Sequence, residues 1–194
     1  MKLYRHALAA FAALTLAFAA PAQTVVGTGN SSSFLVIEAP SFGSLFYQVF
    51  YDYNPAIDLD SYYLLNLVTT ADPSLSIAYS NFGTPEEPNY FVDSITYSGT
   101  TLASTSVAPY EPLWYQSVSG GESGYPAIVP IASGAWQEGR GISARHIAPG
   151  SWDGFVFGAY GDEPTIAPVP EPGTWLLLGC GGVFLLLMRR KIHA

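Results

Sequence analysis

The chain has 194 residues, enough for one ordinary core, and only 11% of them are charged. Between Gln23 and Pro172 two arginines, Arg140 and Arg145, stand against fifteen carboxylates, a formal charge of −13 with no lysine. Such an exterior repels phosphate backbones and anionic headgroups, which excludes nucleic acid as a partner and anionic lipid as a docking surface.

At the start of the chain, Lys2, Arg5 and His6 precede an apolar run from Ala7 to Ala19, broken only by Thr15. Ala20-Pro21-Ala22 follows, with small residues at both positions that a signal peptidase reads. Basic start, apolar middle and small-x-small end predict a secretory signal peptide over residues 1–22, with a mature start at Gln23. The alternative is an uncleaved N-terminal anchor. No cysteine follows the run, which excludes a lipoprotein-type attachment.

Residues 23–160 are expected to form one exported domain, mainly β (α+β) with one short helix. Gly27 to Ser33 has the composition of a flexible lead-in. Strands are expected at Phe34 to Glu38 and Leu45 to Asp52, the second ended by Asn54-Pro55. Over Asp58 to Ala71 the spacing of Leu64, Leu65, Leu67 and Val68 predicts a helix, capped by Asp58 or Asp60 and stopped at Asp72-Pro73. Leu75, Ile77 and Tyr79 alternate as in a strand, and Phe82 to Asn89 is a loop. Tyr90 to Tyr97 and Thr100 to Val107 form a hairpin around Ser98-Gly99. Leu113 to Val118 is a further strand before the glycine-rich loop Gly120 to Gly124. Shorter extended pieces are expected at Ala127 to Ile131, Ile142 to Ile147 and Phe155 to Tyr160. Residues 161–168 form a proline-bearing linker.

At the far end, residues 173–188 carry no charge and Arg189, Arg190 and Lys191 follow at once. As a helix this run reaches about 24 Å, short for a span but workable with bilayer thinning and snorkelling. The basic cluster stays on the cytoplasmic side, giving one transmembrane helix with the domain outside. Cys180, the single cysteine, lies in this run, so no disulfide staples the exported domain.

Pro170, Glu171 and Pro172 stand before the span, where proline is tolerated at a helix start. Pro-Glu-Pro, an apolar helix with glycines and a terminal basic cluster, in that order over residues 169–191, resemble the PEP-CTERM sorting signal of Gram-negative bacteria. The resemblance implies processing near Pro170-Glu171-Pro172 by an exosortase, a membrane-embedded transpeptidase-like enzyme. It also implies a route from an inner-membrane-anchored intermediate to the cell surface or extracellular matrix, often in exopolysaccharide-producing cells. The alternative is a plain C-terminal anchor. The middle domain resembles the small β-rich C-terminal domain of transcobalamin-like proteins through Leu64-Leu65-Asn66-Leu67, residues 76–83, Asp93 to Tyr97, Trp114-Tyr115 and Gly150 to Gly154. The companion helical barrel that completes the corrinoid site in that family has no counterpart here.

Candidate chemistry is sparse. His146 is the only histidine between Gln23 and Pro172, too few ligands for zinc. A nucleophile elbow is missing, since Ala39-Pro40-Ser41-Phe42-Gly43 lacks its first glycine. No phosphate-cradling glycine motif and no cofactor are expected. Asp52, Asn54, Asp58 and Asp60 are close enough in sequence to be calcium candidates, although turn and cap duty explains the same residues. Tyr47, Tyr51, Tyr53, Tyr62, Tyr63, Trp114, Tyr115 and Trp136 are expected to serve core and cross-strand packing, with sugar stacking as the alternative. The resulting expectation is a non-enzymatic surface or matrix protein with a structural or interaction role. Signal peptidase and exosortase are its processing partners, and extracellular polysaccharide is a further one. A ligand-binding module for carbohydrate or a corrinoid-like molecule is the alternative.

Overall fold

The structure is a computed structural model that describes residues 22–84, 88–105, 111–124 and 127–168. It is mainly β with one short helix. Its strands are β1 (Thr24–Gly27), β2 (Ser31–Ala39), β3 (Gly43–Tyr51), β4 (Leu75–Asn81), β5 (Tyr90–Tyr97), β6 (Thr100–Ala103), β7 (Leu113–Ser119), β8 (Glu122–Ser123), β9 (Val129–Pro130), β10 (Gln137–Glu138), β11 (Arg145–His146) and β12 (Trp152–Gly158). The helix, α1, spans Ser61–Ala71. Six strands form the main sheet in the order β1-β3-β2-β12-β7-β10. The pairs β1/β3 and β2/β12 are parallel and the others antiparallel. Two smaller sheets, β4-β5-β6 and β11-β8-β9, complete the fold.

Alternation along β2 and β3 divides the main sheet into two faces. Leu35, Ile37, Tyr47, Val49 and Tyr51 point to the larger core, where they meet Leu64, Leu65 and Val68 of α1 and Val92 and Ile95 of β5. Phe34, Val36, Phe46 and Trp152 point the other way, into a smaller aromatic cluster with Trp136 and Ile166. There Phe34 stacks on Trp152 at a centroid distance of 4.4 Å.

The helix begins at Ser61 rather than Asp58, because Asp60 is the residue whose carboxylate takes the free N–H of Tyr63, at 2.9 Å. It ends at Asp72, whose own N–H bonds the Val68 carbonyl at 2.8 Å. The Tyr47 hydroxyl donates to Asp72 Oδ2 at 2.8 Å and fastens this helix end to β3.

The Gly27 to Ser33 stretch is not a flexible lead-in. Residues 24–27 form edge strand β1, and Ser31 to Ser33 begin β2. The serines pair with Tyr51, Phe50 and Val49. Ser33 is fully buried and meets the hydroxyls of Tyr51 and Ser151 at 2.7 and 3.1 Å. Its polar side chain is satisfied inside the fold, which composition alone does not reveal. The second hairpin strand ends at Ala103, earlier than expected, and the extended pieces near residues 127–131 and 142–147 contract to two-residue strands.

Among the described residues, the largest fully buried side chain is a charged one. Arg145 is 0% exposed and pairs with Asp153, also 0% exposed, at 3.2 Å. Its Nη1 donates to the carbonyls of Gly120 (2.5 Å) and Glu122 (3.2 Å), and its Nη2 to those of Ser119 and Trp152 (3.4 Å each). Asp153 Oδ1 also accepts from Ser61 Oγ at 2.5 Å, and Gln116 Nε2 donates to both Ser61 Oγ (3.0 Å) and Asp153 Oδ1 (3.3 Å). Gly121 lies on top of this group at φ +68°. A Cβ there would lie 2.7 Å from Arg145 Nη1 and 2.6 Å from the His146 carbonyl, so no larger residue fits.

Removing one partner of a buried pair strands the other charge and costs about 3–5 kcal/mol. Arg145→Met is therefore expected to lower the melting temperature by at least about 6 °C in thermal unfolding followed by circular dichroism. Arg145→Met with Asp153→Leu should recover part of the loss, and a single variant melting like the wild type would contradict the assignment.

A second expectation concerns acid. Burial raises the Asp72 carboxyl, but hydrogen bonds from Ser74 and Tyr47 outweigh it and hold the group below its usual range. A lowered folded value contributes stability that is present above the unfolded value, about pH 4, and is lost as pH falls through the folded one. Asp72→Asn should thus melt lower than the wild type at pH 7, with the gap closing as pH falls through the lowered folded value. A gap that widens on acidification would reverse the sign.

Candidate functional site

Residues 161–168, expected as a linker, run back over the smaller aromatic cluster as a docked strap. Three features hold it. Glu38, near the end of β2 and only 8% exposed, accepts from the Thr165 N–H at 2.5 Å, from the Thr165 hydroxyl and from the Ser44 hydroxyl. Trp136 Nε1 donates to the Ile166 carbonyl at 3.1 Å. Pro164 fills a notch over Gly154 in β12, where a Cβ would come within 2.4 Å of Pro164 Cγ. Pro164 and Pro168 are both buried, so the chain remains seated on the domain as far as Pro168. The sorting residues Pro170, Glu171 and Pro172, the span 173–188 and Arg189, Arg190 and Lys191 lie outside the described residues. Among the described residues no helix is long and apolar enough to cross a membrane.

At the other end, Ala20 lies outside the described residues, whereas Ala22 and Gln23 are exposed just before β1. Gln23 Nε2 bonds Gln48 Oε1 at 2.6 Å, which ties this end to β3. Gln23 thus lies beside edge strand β1 and its neighbour β3, and the strap crosses the central strands β2 and β12.

Three of the four calcium candidates have separate contacts, and the fourth, Asp52, directly follows β3. Asp60 caps α1, Asn54 Oδ1 closes a turn onto the Ala56 N–H at 2.9 Å, and Asp58 faces His146. Burial raises the Asp60 carboxyl, partly opposed by the bonds that it accepts. Among the described residues no group of three or more His, Cys, Asp or Glu is placed to hold a metal ion.

Two clefts remain. One, of about 340 Å³, is lined by His146, Asp58, Glu122 and Tyr53, with His146 Nδ1 at 3.5 Å from Asp58 Oδ1. Its lining contains no serine, threonine, cysteine or lysine, and its polar side chains are those of Tyr53, Asp58, Glu122 and His146. The other, of about 300 Å³, has an apolar floor of Val92, Trp114, Ile142 and Phe155 under a rim of Tyr115, Tyr160, Glu138 and Arg140. Tyr160 donates to Glu138 at 2.5 Å, and Arg140 stands 3.8 Å from the same carboxylate. Burial and then the Glu138 charge push the Tyr115 hydroxyl up to about 12.

Of the aromatics expected in the core, Tyr47, Tyr51 and Trp114 are buried, and Tyr62 stacks on Tyr90 at 4.6 Å. The strongly exposed rings are others, Phe82 and Tyr160, at 73% and 65%. Sequence reasoning missed the strap and its Glu38 receptor. A single acid closing the apolar strand Phe34-Leu35-Val36-Ile37 was the available signal for it.

Comparison with known proteins adds one finding at the C-terminal end. No curated protein and no solved structure matches the chain, so the resemblance to the transcobalamin-like domain gains no support. One family description does match, the PEP-CTERM protein-sorting motif, over residues 168–191. Its first residue is the buried proline at which the docked strap ends. The chain carries a PEP-CTERM protein-sorting motif directly after its folded domain, and is in that respect an exported protein processed by an exosortase.

Proposed function

We propose that the protein is a non-enzymatic component of the cell surface or extracellular matrix of a Gram-negative bacterium, with a structural or interaction role. In this reading signal peptidase removes residues 1–22. The apolar run 173–188 then halts export, because a helix satisfies its backbone internally in lipid, and Arg189, Arg190 and Lys191 hold the end inside. The exosortase acts at Pro170-Glu171-Pro172 and the folded domain passes to the surface, where extracellular polysaccharide is a partner. The observation that carries the reading is the meeting of domain and motif at Pro168. The acidic exterior, with Arg140 as its one exposed cation among the described residues, supports a soluble, well-dispersed component.

A second reading, a binding module, is favoured by the cleft over Trp114 and Phe155. An apolar floor with a few polar rim groups suits a small ring-shaped ligand such as a neutral sugar unit.

The test places one epitope within the exposed turn at Ser98-Gly99 and another after Ala194. Membrane and surface fractions are then blotted from cells with the matching exosortase. The two epitopes should separate, with the Ser98-Gly99 epitope in the surface fraction. Alanines at Pro170, Glu171 and Pro172 should keep them together in the membrane. Wild-type protein that retains both epitopes on one chain at steady state would establish a plain anchor instead.

A further inference from the structure

The docked strap leaves little free chain before the motif. Only Val169 separates the buried Pro168 from Pro170, and two residues reach at most about 7 Å. That is less than the diameter of a single helix, about 10–12 Å. Enzymes that cut or transfer peptides take up an extended stretch of substrate, pairing with its backbone and seating alternate side chains. With the strap in place, the residues N-terminal to Pro170 are already bound, to the domain itself.

We infer that strap docking controls processing: Pro164–Pro168 must lift from Glu38, Gly154 and Trp136 before the sorting enzyme can take up the chain ahead of Pro170. This rests on the sorting reading above and adds a regulatory step to it. The strap is suited to such release. It pairs with no strand and is held by Glu38, by Trp136 and by the proline notch, so it can open without disturbing the six-stranded ladder. It is also suited to return. Lifting it uncovers the cluster of Phe34, Val36, Phe46 and Trp152, whose exposure to water favours re-docking. After processing, the strap closes again and holds the new C-terminal end against the sheet instead of leaving it on a loose tether.

The processing rate then scales with the fraction of molecules whose strap is open or has slack. Two variants of the full chain separate these factors. Inserting Gly-Ser-Gly-Ser between Pro168 and Val169 adds slack and leaves every strap contact in place. Thr165→Val removes the hydroxyl that donates to Glu38 and loosens the strap itself. Loss of an epitope placed after Ala194 is followed by pulse-chase in cells with the matching exosortase. The insertion should speed tail loss by about tenfold. Thr165→Val should speed it less, with faster hydrogen exchange over residues 163–167. If both variants lose the tail at the wild-type rate, docking does not limit access and the inference is overturned. If the wild type never loses its tail, the sorting reading falls and the inference with it.

Discussion

The guanidinium of Arg145 is the point at which the separate parts of this fold are joined. It reaches the end of β7, the starts of β8 and β12 and, through Asp153 and Ser61, the first turn of α1. Burying a charge in this way is costly, and it is tolerable only where the partner charge and every remaining N–H are satisfied. The surrounding carbonyls, the bare Cα of Gly121 and the network of Ser61, Gln116 and Asp153 meet that requirement. The pair does for this domain what a disulfide does for many exported ones, connecting segments distant in sequence. The domain has no cysteine with which to do so otherwise.

From that point the two faces of the main sheet take on different duties. The inner face is closed by α1 and by β4-β5-β6, whose apolar residues complete the larger core. The outer face has no helix or sheet above it among the described residues, and the strap covers its aromatic cluster. The segment that leads to the sorting motif is therefore also a packing element of the domain. The packing strap and the sorting motif meet at Pro168, so the folded domain runs into the motif without an intervening tether.

Much of this was legible in the sequence, for physical reasons that can be named. Runs of apolar and aromatic residues marked β2, β3 and β5, alternation marked β4, and Ser98-Gly99 marked the hairpin turn. Leucine spacing and Asp72-Pro73 marked α1. The tail was legible because export and membrane retention demand charge and hydropathy in a fixed order. The hidden parts were those in which polar or small residues do buried work. Ser31 to Ser33 read as loop because serine composition does not show that Ser33 will be satisfied by Tyr51 and Ser151. Arg145 read as one of two stray cations because a buried ion pair has no local pattern. Asp153, set between Trp152 and Gly154 in an apolar strand, was its only trace. Residues 161–168 read as a linker because prolines and acids usually are one, and only the third dimension brings Glu38 and Gly154 beneath them.

The account joins an exported domain, a docked strap and a sorting motif that begins where the strap ends. One measurement reads both ends of that scheme together, the intact mass of the protein recovered from the surface of cells with the matching exosortase. The account predicts a chain that begins at Gln23 and ends within or beside Pro170-Glu171-Pro172, so that the strap is retained and the apolar run is gone. A mass that includes residues 1–22, or one that extends to Ala194, would contradict it.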